Sequence, residues 1–256
     1  MQTQQTIEKL HDLRLPGMAQ AYQDQINRGD LAQVSFDDRL GLLVDHEWTV
    51  RQERRLRRRL QDAKLKQNAS PEDIDYRTPR GLDKQMVMDL LTCRWIKAHR
   101  NLIITGPTGV GKTWLSNAFA NKTCREGMVS RYFRVPRLVQ ELEIARLDGS
   151  YLRQLAKLAR VDLLILDDWG MGQLDAQALN MILEVVDDRT EARSTLVTSQ
   201  LPVEKWHDLV GDPSTADALL DRLLGTAQHI KLKGGSMRGS HPKSSGTKPA
   251  QENTSE

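Results

Sequence analysis

Three glycines, a lysine and a threonine in Gly106-Pro107-Thr108-Gly109-Val110-Gly111-Lys112-Thr113 have the types and spacing to hold a polyphosphate. They fit G-x-x-x-x-G-K-[ST] at every fixed position. Glycines let a backbone wrap closely and point its N–H groups at phosphate oxygens. Lys112 is placed to meet the β- and γ-phosphates, and the Thr113 hydroxyl to bind Mg²⁺. Pro107, Thr108, Val110 and Trp114 complete the stretch expected to touch ATP. A second chemical element is Asp167-Asp168, which ends the apolar run Val161-Asp162-Leu163-Leu164-Ile165-Leu166 about 55 residues after Lys112. Two carboxylates at the end of a buried parallel strand suit an ATPase: Asp167 to hold Mg²⁺ through water, Asp168 to polarise the attacking water. A third is the polar end of Ser194-Thr195-Leu196-Val197-Thr198-Ser199-Gln200. Thr198, Ser199 and Gln200 are candidates for sensing the phosphate state. Ser199 is placed with the catalytic residues, and the choice among the three stays open.

These groups need strands to carry them and a helix to receive the phosphates. Asn101 to Thr105 is a short, partly β-branched apolar run, read as a strand. Trp114 to Ala120 reads as the opening of a helix, whose N-terminus adds partial positive charge and free donors. Further strands are expected over 129–135, 161–168, 194–200 and 227–232. Helices are expected over 82–100, 136–147, 151–160, 176–189 and 216–224. That alternation predicts an α/β domain with a parallel sheet. Arg153, Lys157 and Arg160 make a basic stripe at i, i+4, i+7, either plain surface or a second DNA contact.

The N-terminal region has a different periodicity and reads as a small all-α domain over residues 1–67. Ile7, Leu10, Leu13 and Leu15 form one stripe, Met18 to Ile26 a second helix, and Ser35 caps a third. In that third helix Phe36, Leu40, Leu43, Val44 and Trp48 are spaced to face a core. Of the sixteen residues 51–66, eight are Arg or Lys and two are acidic. Leu56, Leu60 and Ala63 give this segment one apolar side, and Arg51, Arg54, Arg55, Arg58 and Arg59 make it a candidate duplex-DNA contact. Exposed helices normally mix charge signs, so so one-sided a run points to phosphate-backbone binding without base readout. Asn68-Ala69-Ser70-Pro71 breaks the helix, which places a domain boundary near residue 68 and the ATPase domain at 68–238. Residues 239–256 are rich in Ser, Gly, Pro and Lys and are expected to be a disordered tail.

The 256 residues carry a net charge of only +3, so charge distribution says more about partners than the total does. Cys93 and Cys124 are too far apart in sequence for a metal-ligand motif and read as reduced thiols of a cytoplasmic protein. No signal peptide and no run of about 20 apolar residues is visible. A GTPase would need Asn-Lys-x-Asp, and Asn121-Lys122-Thr123-Cys124 lacks the final Asp.

Taken in order, GPTGVGKTWL, VDLLILDDWG, STLVTSQLPVEKWH, GDPSTADALLDRLL and LKGGSMR closely resemble the IstB-type transposition helper ATPases. RLPGMAQAY and EDIDYRTPRGLDK are similar as well, so the resemblance covers about residues 7–238. The family lies in the AAA+ superfamily, in the clade of DnaA and DnaC. The resemblance implies a five-stranded parallel sheet between helices in a three-layer αβα domain, preceded by a helical DNA-binding domain. It also implies a homo-oligomer, ring or helical stack, that assembles on target DNA with ATP, remodels it and serves an IstA-type transposase. A DnaC-like helicase loader is the alternative. By the same resemblance Arg222 stands at the arginine-finger position, reaching a neighbouring subunit's ATP, and Arg238 at a second sensor position. The common AAA+ pattern ends its acidic pair in Asp-Glu. Asp168 is one methylene shorter, which implies slow hydrolysis.

Overall fold

The computed structural model describes residues 2–28, 33–172, 174–210 and 212–237. Arg238 and the expected tail over 239–256 lie outside the described residues.

Three helices come first: α1 (Gln2–Asp12), α2 (Pro16–Asn27) and α3 (Phe36–Ala63). Pro16 begins α2 because a first-turn position needs no N–H donor. The residue before it, Leu15, has no side chain that can cap. Glu47 of α3 fills that role: its Oε2 accepts from the N–H groups of Gly17 at 2.7 Å and Met18 at 3.1 Å. Arg51 donates to the other oxygen at 2.6 Å, and to the carbonyl of Arg14 at 2.9 Å. A side chain at position 17 would bring its Cβ within 2.8 Å of the Glu47 Cα, so glycine sets how closely α2 approaches α3. Burial pushes the Glu47 carboxyl up, but Arg51 and the two N–H groups outweigh it and hold the group below its ordinary value. Its contribution is therefore complete above the ordinary carboxyl range and disappears as pH falls through the lowered value. Glu47→Ala is expected to cost about 2 kcal/mol by removing a cap and a charge-assisted pair. Thermal denaturation should show this loss at pH 7, and wild type and variant should converge on acidification.

Ser35 caps α3 as the sequence suggests, accepting from the Asp38 N–H at 3.1 Å. Of the core expected on its first half, Leu43 is half-buried and the other four residues are exposed. Phe36, Leu40, Val44 and Trp48 are 68%, 41%, 51% and 62% exposed. That face has the right spacing but stays largely exposed, because α2 packs on the Glu47 side. The second half behaves as expected: Leu56 and Leu60 are half-buried and Ala63 is buried.

The chain then passes through a turn at Pro71–Asp73 into α4 (Lys84–Leu90) and α5 (Arg94–Lys97). The single helix expected over 82–100 is thus broken, at Cys93, whose φ is +57°. Strands and helices then alternate: β1 (Leu102–Thr105), α6 (Lys112–Arg125), β2 (Ser130–Arg134), α7 (Val135–Leu147), α8 (Tyr151–Ala159), β3 (Leu163–Trp169), α9 (Ala176–Asp187), β4 (Ser194–Ser199), α10 (Pro213–Leu224) and β5 (Gln228–Lys231). All strand pairs are parallel, in the order β2-β3-β4-β1-β5. Successive strand residues face opposite layers. Leu102, Ile104, Leu163, Ile165 and Leu196 pack with α4, α5 and α6. Ile103, Leu164, Leu166 and Val197 pack with α7, α8, α9 and α10. This is the α/β domain with a parallel sheet that the alternation predicts, in the three layers that the resemblance implies. Cys93 and Cys124 are buried free thiols. No helix among the described residues is long and apolar enough to cross a membrane.

Candidate functional site

β1 delivers the glycine loop to the C-terminal edge of the sheet, where β3 and β4 also end. A cleft of about 370 Å³ opens there, bounded by Thr108, Gly109, Gly111, Lys112, Thr113 and Trp114. Asp168 and Gln200 form a second wall, and Gln67, Asn68, Asp73, Asp75, Arg80 and Met237 a third. Gly111, at φ +94°, is the residue just before α6; a Cβ there would lie 2.5 Å from Arg80 Nη1. Lys112 is buried, and its Nζ donates back to the carbonyls of Gly106 at 2.7 Å and Pro107 at 2.8 Å. Its ammonium therefore braces the loop that bounds the cleft.

Asp167 is fully buried. The Thr113 hydroxyl lies 3.0 and 2.9 Å from its two oxygens, Tyr132 donates to Oδ2 at 2.6 Å, and Thr198 donates to Oδ1. Burial, then the neighbouring Asp167, raises the Tyr132 phenol above its ordinary value, so it stays a donor at neutral pH. Asp168 sits at a register shift between β3 and β4 with φ +63°. That bulge turns consecutive carboxylates apart: Asp167 goes into the sheet and Asp168 into the cleft. Arg134, at the end of β2, donates from Nε to Asp168 Oδ2 at 2.7 Å.

The donor set suits Mg²⁺. A threonine hydroxyl and a carboxylate stand together beside the glycine loop, both oxygen ligands, and Mg²⁺ commonly takes its remaining ligands from water and substrate phosphates. Among the described residues no cluster of three or more His, Cys, Asp and Glu side chains offers a complete metal cage.

Among the sensor candidates, the structure separates three neighbours. Gln200 reaches the cleft and accepts from the Thr108 hydroxyl at 2.6 Å. Thr198 is spent on Asp167 and the Asp168 N–H. Ser199 turns the other way, donating to the Trp169 carbonyl at 2.8 Å and accepting from the Leu201 N–H at 3.1 Å. Ser199, placed with the catalytic residues from the sequence, thus does not line the cleft, and Gln200 is the one of the three that does. Arg222 does not reach its own chain's cleft. It donates to Asp187 and to the carbonyl of Ala218 in a separate groove of about 670 Å³ that also holds Arg146, Asn180 and Glu184.

The basic run divides too. Arg59 is half-buried, and its Nε donates to the carbonyl of Cys124 at 3.0 Å, which ties α3 to α6. Arg51 is held by Glu47 and Arg14, and keeps a side chain 44% exposed. Arg54, Arg55 and Arg57 are exposed, as is Arg58, which lies 3.7 Å from Asp62. Sequence reasoning missed Tyr132, Arg134 and Arg80. The first two occupy alternate positions on β2 beside β3, a register no local pattern reveals. Arg80 lay within EDIDYRTPRGLDK, a stretch noted for its family resemblance and given no role in the site. It is buried, donating to the Val110 carbonyl at 2.9 Å and to the Asp75 carbonyl at 3.0 Å.

A glycine loop braced by lysine, a threonine beside a buried aspartate, and this strand order define a P-loop nucleotide-binding domain. Solved structures share the fold. DnaI superposes with a TM-score of 0.54 at 22% identity, covering 69% of this chain and 93% of that one. The DnaC helicase loader superposes with a TM-score of 0.55 at 18% identity, covering 67% of this chain and 100% of that one. The chain belongs to the family described as IstB-like ATP binding protein, which matches residues 8–245. An insertion-sequence ATP-binding protein of Sinorhizobium fredii is 49% identical over 91% of this chain and 95% of its own length. One from Pseudomonas fluorescens is 49% identical over 79% and 88%. A third, from Mycobacterium tuberculosis, is 32% identical over 90% and 92%.

Proposed function

We propose that this protein is an ATPase of an insertion sequence that binds duplex DNA largely without regard to sequence. It oligomerises on target DNA with ATP, remodels that DNA and stimulates an IstA-type transposase, and hydrolysis releases the assembly. Residues 1–67 supply the DNA contact and 68–238 the ATPase. The observation that carries the reading is a basic helix docked, through Arg59, on the helix that starts at the glycine loop. The insertion-sequence relatives favour it over a helicase loader, since the likeness to DnaC is one of fold.

Each residue has a task. The loop N–H groups and Lys112 bind the triphosphate, and Thr113 with Asp167 would hold Mg²⁺, which would supply charge neutralisation for the phosphates. Tyr132 and Thr198 fix the Asp167 carboxylate. Asp168 accepts the proton of the attacking water, and Arg134 orients that carboxylate. Gln200 reports on the phosphate through Thr108. Arg222 serves the cleft of the next subunit.

The test is duplex binding by the Arg54→Ala, Arg55→Ala, Arg58→Ala triple variant, measured by fluorescence anisotropy across a salt series. Each lost phosphate contact should lower the log–log salt slope by about 0.9, so about 2.7 units for three. Duplex affinity should fall at least about tenfold whatever the sequence, at unchanged ATP affinity. An unchanged slope would leave the basic face as plain surface.

A further inference from the structure

The cleft and the basic helix are linked by one buried side chain that neither ATP nor DNA is expected to touch. Asn117 lies on α6, four residues past Thr113, and is fully buried. Its Nδ2 donates to the Thr113 carbonyl at 2.5 Å, and its Oδ1 accepts from the Lys66 N–H at 2.9 Å. The carbonyl can only accept and the N–H only donate, so the amide orientation is set by its partners. Asparagine is a weaker helix former than alanine, and a buried amide is costly unless both ends are bonded. Here both ends are bonded, and to different parts of the molecule.

Lys66 lies three residues past the end of α3. At that end Lys64 has φ +49° and closes the helix with a left-handed cap. Gln67 and Asn68, directly after Lys66, form part of the cleft wall. Just before them, α3 is fastened to the same nucleotide-binding layer: Arg59 to the Cys124 carbonyl at the far end of α6, and Arg131 of β2 to the Asp62 carbonyl. The basic helix therefore rides on α6. The segment just past its end is held by Asn117, one helical turn beyond Thr113.

We propose that Asn117 is the positioning residue that couples nucleotide occupancy to DNA affinity, by fixing the Lys66–Asn68 segment to the first turn of α6. This rests on the reading of the chain as an ATP- and duplex-binding protein and names how its two sites communicate. When the triphosphate and Mg²⁺ order that turn, the amide holds the end of α3 in one register and presents Arg54, Arg55 and Arg58 together. Without the amide the two sites bind independently. Coupling of this kind is reciprocal, so DNA must strengthen nucleotide binding by the same factor.

The experiment uses the full chain, ATPγS with Mg²⁺, ADP with Mg²⁺, and a short duplex of arbitrary sequence. Wild type is expected to bind duplex about tenfold tighter with ATPγS than with ADP, and ATPγS correspondingly tighter with duplex, a coupling in the usual allosteric range. In Asn117→Ala each ligand alone should bind within about threefold of wild type while the coupling falls to about twofold or less. A variant that weakens both affinities yet keeps the wild-type ratio would overturn the proposal and leave Asn117 a packing residue. Hydrogen exchange in wild type provides the second measurement and needs no variant. ATPγS with Mg²⁺ should slow exchange over residues 60–68, and unchanged exchange there overturns the proposal even if Asn117→Ala does not fold. If wild type fails to bind duplex at all, the DNA reading fails, while exchange over 60–68 still judges the link.

Discussion

Lys112→Ala is expected to weaken ATP binding by at least about 100-fold, measured by titration with a fluorescent ATP analogue. A charge-assisted hydrogen bond contributes about 1.5–3 kcal/mol, and the ammonium is placed to make such bonds to two phosphates. Each 1.4 kcal/mol is about tenfold in affinity. The same substitution removes the donor that braces the carbonyls of Gly106 and Pro107, so the loop loses preorganisation as well as charge. Asp168→Asn separates binding from chemistry. Its amide fills the same space beside Arg134 but cannot accept a proton as a carboxylate does. Nucleotide affinity should stay within a few-fold, and phosphate release should fall by about 10²–10⁴. Wild-type turnover by Asp168→Asn would remove that carboxylate from the mechanism.

Arg222→Ala should leave the affinity of a single subunit for ATP unchanged and reduce hydrolysis by about 10³, the order associated with an arginine finger. The geometry gives the reason for this split. Arg222 opens onto the groove with Arg146 and Glu184, away from its own chain's glycine loop. A phosphate that it contacts must therefore belong to another subunit. Its side chain is about one-third exposed and paired with Asp187, a pair that an incoming triphosphate can replace. A guanidinium there would donate in a fixed fork to γ-phosphate oxygens, which ADP lacks. ATP-dependent assembly on DNA, read by light scattering or negative-stain imaging, should be lost with the hydrolysis. Mixing Arg222→Ala with Lys112→Ala should restore part of the turnover, because some interfaces then combine an intact loop with an intact arginine. Normal assembly and turnover by Arg222→Ala alone would return this residue to a local ion-pair partner of Asp187.

The glycine loop, the acidic pair and the alternation of strands and helices were legible in the amino-acid sequence because each is a local property. Gly106 to Thr113 is one contiguous stretch whose residue types dictate its own backbone, and the runs 102–104 and 163–166 are apolar because both faces of a parallel sheet are covered. The Ser35 cap was legible for the same reason, since its partner is three residues away. What only the tertiary structure decided is which side chains meet across elements. The period of α3 shows that Phe36, Leu40, Val44 and Trp48 share a face, but not that it stays largely exposed. The same period cannot tell Arg59, turned onto the Cys124 carbonyl, from Arg58 in solvent. Strand register and the bulge at Asp168 set the pairings Tyr132 with Asp167 and Arg134 with Asp168, and strand alternation turns Ser199 away while Gln200 faces the cleft. A sequence pattern records the period along one element. The partner of a side chain is set by the angle and register at which two elements pack, and those follow from the close-packed interior as a whole.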